Sequence, residues 1–116
     1  MKLVDANQLE WEDPPRGYYL TDVKQKVLWE NKETGAMMVL VKFPEGIADK
    51  IHSHPRAGQF IYGLSGSIES DEELPLSVDG LFLHMLQGEK HGGTNMTEET
   101  ILLFYWDGPP DVQIEE

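Results

Sequence analysis

His52 and His54 stand two residues apart, Gln59 follows five residues later, and His91 lies in a glycine-rich stretch with Gly88, Gly92 and Gly93. Neutral imidazole is the commonest side-chain ligand for a transition metal. On a strand, an H-x-H pair sends both rings to one face while Ser53 points to the other. Pro55-Arg56-Ala57-Gly58 then turns the chain, so Gln59 opens the next extended run beside the pair. Two rings and a side chain from a neighbouring strand can converge on one point. The glycines around His91 let the backbone bring a further imidazole inward. His84 stands apart from this grouping, and a packing or surface role is expected for it.

The elements that must position these residues read as strands broken by turns. Residues 1–15 are polar and end in Asp13-Pro14-Pro15, which reads as a lead-in arm to a single domain over 16–116. Strands are predicted over Gly17–Val23, Lys26–Trp29, Ala36–Phe43, Gln59–Leu64, Leu81–Leu86 and Thr100–Trp106, and over Ile51–His54 as a short alternating strand. Asn31 to Gly35, Asp79-Gly80 and Gln87-Gly88-Glu89 supply hairpin turns. The acidic run Glu69-Ser70-Asp71-Glu72-Glu73 reads as a solvated loop. No segment keeps a helical period, so the fold class is all-β, a sandwich or barrel. Alternation from Gln59 turns Ile61 and Gly63 inward and Phe60 and Tyr62 outward. Met37, Met38 and Met85 fall on flanking strands as packing residues.

Composition narrows the function. The chain has 116 residues and a net charge of −12, with no cysteine. A surface this acidic repels a phosphate backbone, so no nucleic-acid partner is expected. No apolar run approaches the roughly 20 residues that span a bilayer, so no membrane partner is expected either. Met1-Lys2-Leu3-Val4-Asp5 lacks the apolar stretch of a signal peptide, which makes the cytoplasm the default location. Without cysteine there is no disulfide, thiol nucleophile or thiolate metal site.

The same residues resemble a known family. Gly46-x5-His52-x-His54-x4-Gln59-x6-Gly66 fits the first cupin motif, with Gln59 where most members carry Glu. Gly80-x5-Leu86-x-Gly88-x2-His91-x3-Asn95 fits the second, with Leu86 where Pro is usual. The resemblance implies a double-stranded β-helix, the RmlC-like jelly-roll barrel. It also implies one divalent transition metal (Fe, Ni, Mn, Zn or Cu) held by His52, His54, Gln59 and His91. Family members usually pair, which implies a homodimer; the arm at 1–15 with Trp11, Tyr18 and Tyr19 offers contacts, although core packing accounts for either tyrosine equally well.

Finer likenesses diverge. Leu40-Val41-Lys42-Phe43-Pro44-Glu45-Gly46 and Asp107-Gly108-Pro109-Pro110-Asp111-Val112 are similar to segments of zinc anti-sigma-factor cupins and of diketone-cleaving dioxygenases. Gln59 instead resembles cupins of pectin and alginate breakdown, which act on unsaturated sugar acids. As a ligand, a neutral amide beside three neutral imidazoles would leave the full +2 charge on the metal. That favours anionic small-molecule ligands and Lewis-acid chemistry of isomerase or lyase type, and makes oxidation of the metal harder. Oxygen-dependent cleavage of a diketone-like substrate is the alternative, because a bidentate enolate can bring the missing charge. A third reading is a metal- or ligand-binding sensor without turnover, although residues 1–45 are too short and strand-rich for a separate helical partner domain. Gln59 could also be a neighbour whose amide bonds elsewhere, leaving a three-histidine site. Arg56 could reach an anion at the barrel mouth or simply be solvated. Asn95 is expected to hold its own turn. No second carboxylate can be placed beside the metal, so no general base is named and the catalytic residues stay unknown.

Overall fold

The computed structural model describes residues 1–15, 17–72 and 74–115. Arg16 and Glu116, which bound the expected barrel, and Glu73, the end of the acidic run, lie outside the described residues. After a 3-10 turn at Ala6–Gln8 the chain is built from strands. In order these are β1 (Lys24–Glu30), β2 (Met37–Phe43), β3 (Gly46–Ile47), β4 (His52–Ser53), β5 (Gln59–Ser65) and β6 (Ser67–Glu69). There follow β7 (Pro75–Ser77), β8 (Phe82–Met85), β9 (Asn95–Met96), β10 (Thr100–Trp106) and β11 (Gln113–Ile114).

One antiparallel sheet runs β1-β2-β10-β5-β8, a second runs β3-β9-β6-β7, and β4 pairs with β11. This is the all-β fold that the turn-punctuated sequence predicts, in the jelly-roll form that the cupin resemblance implies. Its centre is β10, whose alternate residues Thr100, Leu102, Phe104 and Trp106 are buried. Phe104 lies opposite Val39 on β2 and opposite Ile61 on β5, so three strands aim their apolar rows at one core. Val39, Val41, Phe43 and Trp106 are almost wholly buried. Each such side chain contributes roughly 1.5–3 kcal/mol.

One close approach and one turn show how the strands are held. A Cβ on Gly63 would lie 1.8 Å from the Val78 carbonyl oxygen, so β5 can pass the β7–β8 connection only as glycine. The β1–β2 turn closes through Asn31, whose side-chain oxygen accepts the Glu33 N–H at 2.9 Å.

Some expectations shift. Gly17–Val23 forms no strand: only Tyr19 makes a ladder contact, an isolated bridge to Asp49, and Tyr18 is buried beneath it. The two- and three-residue strands β3, β6, β7, β9 and β11 are additional. Glu69 belongs to β6 rather than to a loop and accepts a hydrogen bond from Asn95 at 2.6 Å, so Asn95 braces two strands instead of its own turn. The arm folds back on its own barrel, with Glu12 bridged to Gln25 and Trp11 beneath the ammonium groups of Lys26 and Lys42.

Candidate metal centre

His52 enters the site from β4, held between β11 on one side and His91 on the other. The His52 N–H donates to the His91 carbonyl and the His91 N–H to that of His52, each at 2.8 Å. The chain can follow His91 this closely because Gly92 has φ +121 and no Cβ, which would sit 2.5 Å from the Lys50 carbonyl oxygen. His54 follows β4 with its ring over Trp106, centroids 5.9 Å apart. Tyr18 packs on the His52 ring at 4.2 Å, which places it in the core rather than at a dimer surface.

One ring nitrogen from each of His52, His54 and His91 lies within 4.8 Å of the others. Their hydrogen bonds decide which nitrogens face inward. The Nδ1 atoms meet the carbonyl oxygens of Lys50 at 2.6 Å, Pro110 at 3.2 Å and Glu89 at 3.0 Å. A carbonyl only accepts, so each Nδ1 carries the proton and each Nε2 keeps its lone pair. Such second partners orient metal-binding imidazoles and raise their basicity.

Protonation is disfavoured throughout. Burial, with repulsion from the other two rings, pushes His54 down to about 4. Burial also lowers His52, and burial followed by repulsion from His52 lowers His91. The cluster therefore stands neutral at pH 7. The His54 Nε2 is buried with no hydrogen-bond partner. An orphaned lone pair beside two others of the same kind is costly without an acceptor of electrons. The donor set fits a divalent transition metal of borderline softness.

Gln59 opens β5 next to this cluster. Its side-chain oxygen accepts the Trp106 indole N–H at 2.7 Å, and its nitrogen lies 3.3 Å from His91 Nε2 and 3.1 Å from Met85 Sδ. Sequence reasoning overlooked Asp49, whose carboxylate lines the same cavity. One Asp49 oxygen accepts the Gly93 N–H at 3.0 Å, and the other stands 4.0 Å from His52 Nδ1. Burial pushes the Asp49 carboxyl up. Its place three residues before His52, on a loop, was the available signal.

Arg56 turns away from the cavity to a two-pronged pair with Asp111, at 2.9 and 2.8 Å. His84 stacks on Phe60 at the exposed face of the large sheet, as a surface histidine.

His52, Gln59 and His91 line a cavity of about 510 Å³, and His54 stands beside them outside its lining. Its walls are mostly apolar, with Ile61, Val78, Met96, Leu102 and Phe104 inside and the exposed Phe82 at the rim. No lysine or arginine lines it among the described residues.

Several solved structures share the architecture. The chain superposes over its whole length on 81% of a proposed acetylacetone dioxygenase of Methylibium petroleiphilum PM1, with TM-score 0.80 and 13% identity. It matches an acetylacetone dioxygenase of Acinetobacter johnsonii with TM-score 0.72 and 16% identity, covering 100% of this chain and 76% of that one. For KdgF of Halomonas sp. the values are 0.67 and 19%, with 92% and 94% covered. At these identities the likeness concerns the fold. No curated protein matches the chain at a significant level. The profile of the ChrR Cupin-like domain matches residues 1–111. Barrel, histidine spacing and profile agree, and the chain belongs to this family of cupins.

Proposed function

We propose that the protein is a metal-dependent enzyme acting on a small carbonyl compound with an apolar body. The observation that carries this reading is the cavity: about 510 Å³ and mostly apolar, lined by His52 and His91 of a cluster in which His54 brings a third ring nitrogen within 4.8 Å. Pockets of this kind use a few polar groups to orient a largely apolar ligand. His52, His54 and His91 would hold the metal, with Gln59 beside them. A divalent metal there supplies Lewis-acid polarisation of a carbonyl oxygen. Ile61, Leu102 and Phe104 exclude water from the bound body of the substrate. The cavity offers few partners for the hydroxyls of a sugar acid, so the lining favours a keto compound over an unsaturated uronate.

Oxygen-dependent cleavage of a diketone is the second reading. The likeness to acetylacetone dioxygenases and the three-imidazole donor set favour it.

Metal content of protein purified without chelators or a histidine tag, beside His52→Ala, tests the site. Near-stoichiometric metal that is lost in the variant supports it. Small keto acids and diketones are then followed for product and oxygen uptake together. Product without oxygen uptake supports Lewis-acid chemistry, and product coupled to oxygen uptake moves the assignment to cleavage. Ligand-dependent stabilisation with no product leaves a binding module.

A further inference from the structure

We propose that Gln59 serves this site as a hydrogen-bond donor locked in one orientation by Trp106, rather than as a metal ligand, and that it recognises an anionic oxygen, carboxylate or enolate, bound beside the metal. The inference rests on the metal reading above.

An indole N–H can only donate. The atom of Gln59 that stands 2.7 Å from Trp106 Nε1 is therefore its carbonyl oxygen. Both side chains are almost wholly buried, Trp106 at 1% and Gln59 at 3% exposure, so water does not readily replace this contact. The NH2 group is thereby turned the other way, and its surroundings agree. Met85 Sδ at 3.1 Å is an acceptor. So is His91 Nε2 at 3.3 Å, because the proton of that ring sits on Nδ1 against the Glu89 carbonyl. Turning the amide over would set NH2 against indole N–H and oxygen against two lone pairs. Every contact would then become repulsive, and the buried indole N–H would lose this acceptor.

Gln59 thus presents N–H, not oxygen, to the side where the histidine lone pairs gather. The amide nitrogen has no available lone pair to offer a metal. With His91 Nε2 engaged by a metal, the N–H loses that acceptor and can bond an anion's oxygen next to it. A charge-assisted bond of this kind is stronger than one between neutral groups. It selects the deprotonated form of a bound acid or enol, where a glutamate in the same place would repel it. Trp106 acts here as a positioning residue, through the amide.

The experiment separates metal from anion binding. Wild-type protein, Gln59→Ala, Trp106→Phe and His52→Ala are loaded with Co(II), whose affinity is read by competition with a chelator. Acetate is then titrated into the cobalt-loaded proteins and followed by the visible cobalt bands. Gln59→Ala is expected to keep cobalt affinity within about threefold while acetate binding weakens about tenfold, the scale of a lost charge-assisted bond. Trp106→Phe, if it folds, shows the same split, since a purely structural defect would weaken both. Cobalt affinity falling more than about a hundredfold in Gln59→Ala exceeds the loss of an outer partner and would make Gln59 a ligand. Unchanged acetate affinity in Gln59→Ala would also overturn the proposal. Wild type that takes up no more cobalt than His52→Ala would bring down the metal reading itself, a result distinct from the other two.

Discussion

His52 and His91 are paired through their backbones, each N–H on the other's carbonyl at 2.8 Å, although the two lie in separate motifs of the chain. Two of the three inward-facing imidazoles are thus fixed to each other before any metal is considered.

Gly92 makes that pairing possible, so Gly92→Ala should damage it. The new methyl would face the Lys50 carbonyl at 2.5 Å and the His52 ring at 3.2 Å, on a backbone at φ +121. A loss of about 2 kcal/mol or more in denaturant unfolding is expected, together with weaker metal binding. Unfolding that matches wild type would show that the loop has room to shift.

A metal that binds only the folded chain must stabilise it. At a free concentration a hundred times its dissociation constant, the gain is about 2.7 kcal/mol. Thermal unfolding with and without added zinc or nickel measures this. His54→Gln should lose the increment, because it removes the Nε2 that has no other partner.

Acid should weaken the metal-free protein through the same rings. His54 titrates at about 4 when folded, against 6.5 for an ordinary histidine, and His52 and His91 are lowered as well. Between those values the unfolded chain binds more protons, so stability is full above pH 6.5 and falls as pH drops toward 4. For His54 alone the loss is about 3 kcal/mol. Asp49, pushed up by burial, works in the opposite direction at the acid end. Thermal midpoints at pH 7.5, 6 and 5 should decline in order, and a flat profile would contradict the burial of neutral histidines.

Arg56→Ala should leave metal affinity untouched, because its guanidinium is spent on Asp111 and is exposed. Chelator competition on this variant checks that. A marked fall would mean that the segment carrying Pro110 depends on the pair to hold its carbonyl against His54.

The long strands were legible because they are long. Thr100–Trp106 alternates over its whole length, and the structure returns the same bounds for β10. Lys26–Trp29 was undercounted at both ends, since Lys24, Gln25 and Glu30 carry no apolar signal. Strands of two or three residues such as β3 and β9 have no period to read. Tyr18 and Tyr19 mimic a strand in composition, yet their segment makes only the isolated Tyr19–Asp49 bridge, and their rings pack on His52 and Phe43. Spacing put His52 and His54 on one face with Gln59 beside them, the second motif added His91, and the structure brings the three rings together. Spacing could not show which end of the Gln59 amide faces inward, because the deciding residue, Trp106, is 47 positions away. Asp49 escaped for a related reason: its role depends on Gly93, 44 positions on.

The last part of the chain holds the pieces that finish the site. His52 takes its strand partner from Ile114, His54 its carbonyl from Pro110, and Gln59 its indole from Trp106. Contacts of such span form late, after the entropy of closing long loops has been met. During synthesis, then, the H-x-H pair emerges long before anything can orient it. A nascent chain offers only loose imidazoles to passing metals. Selection of the ion falls to the finished barrel, whose rings are already turned by their carbonyl partners.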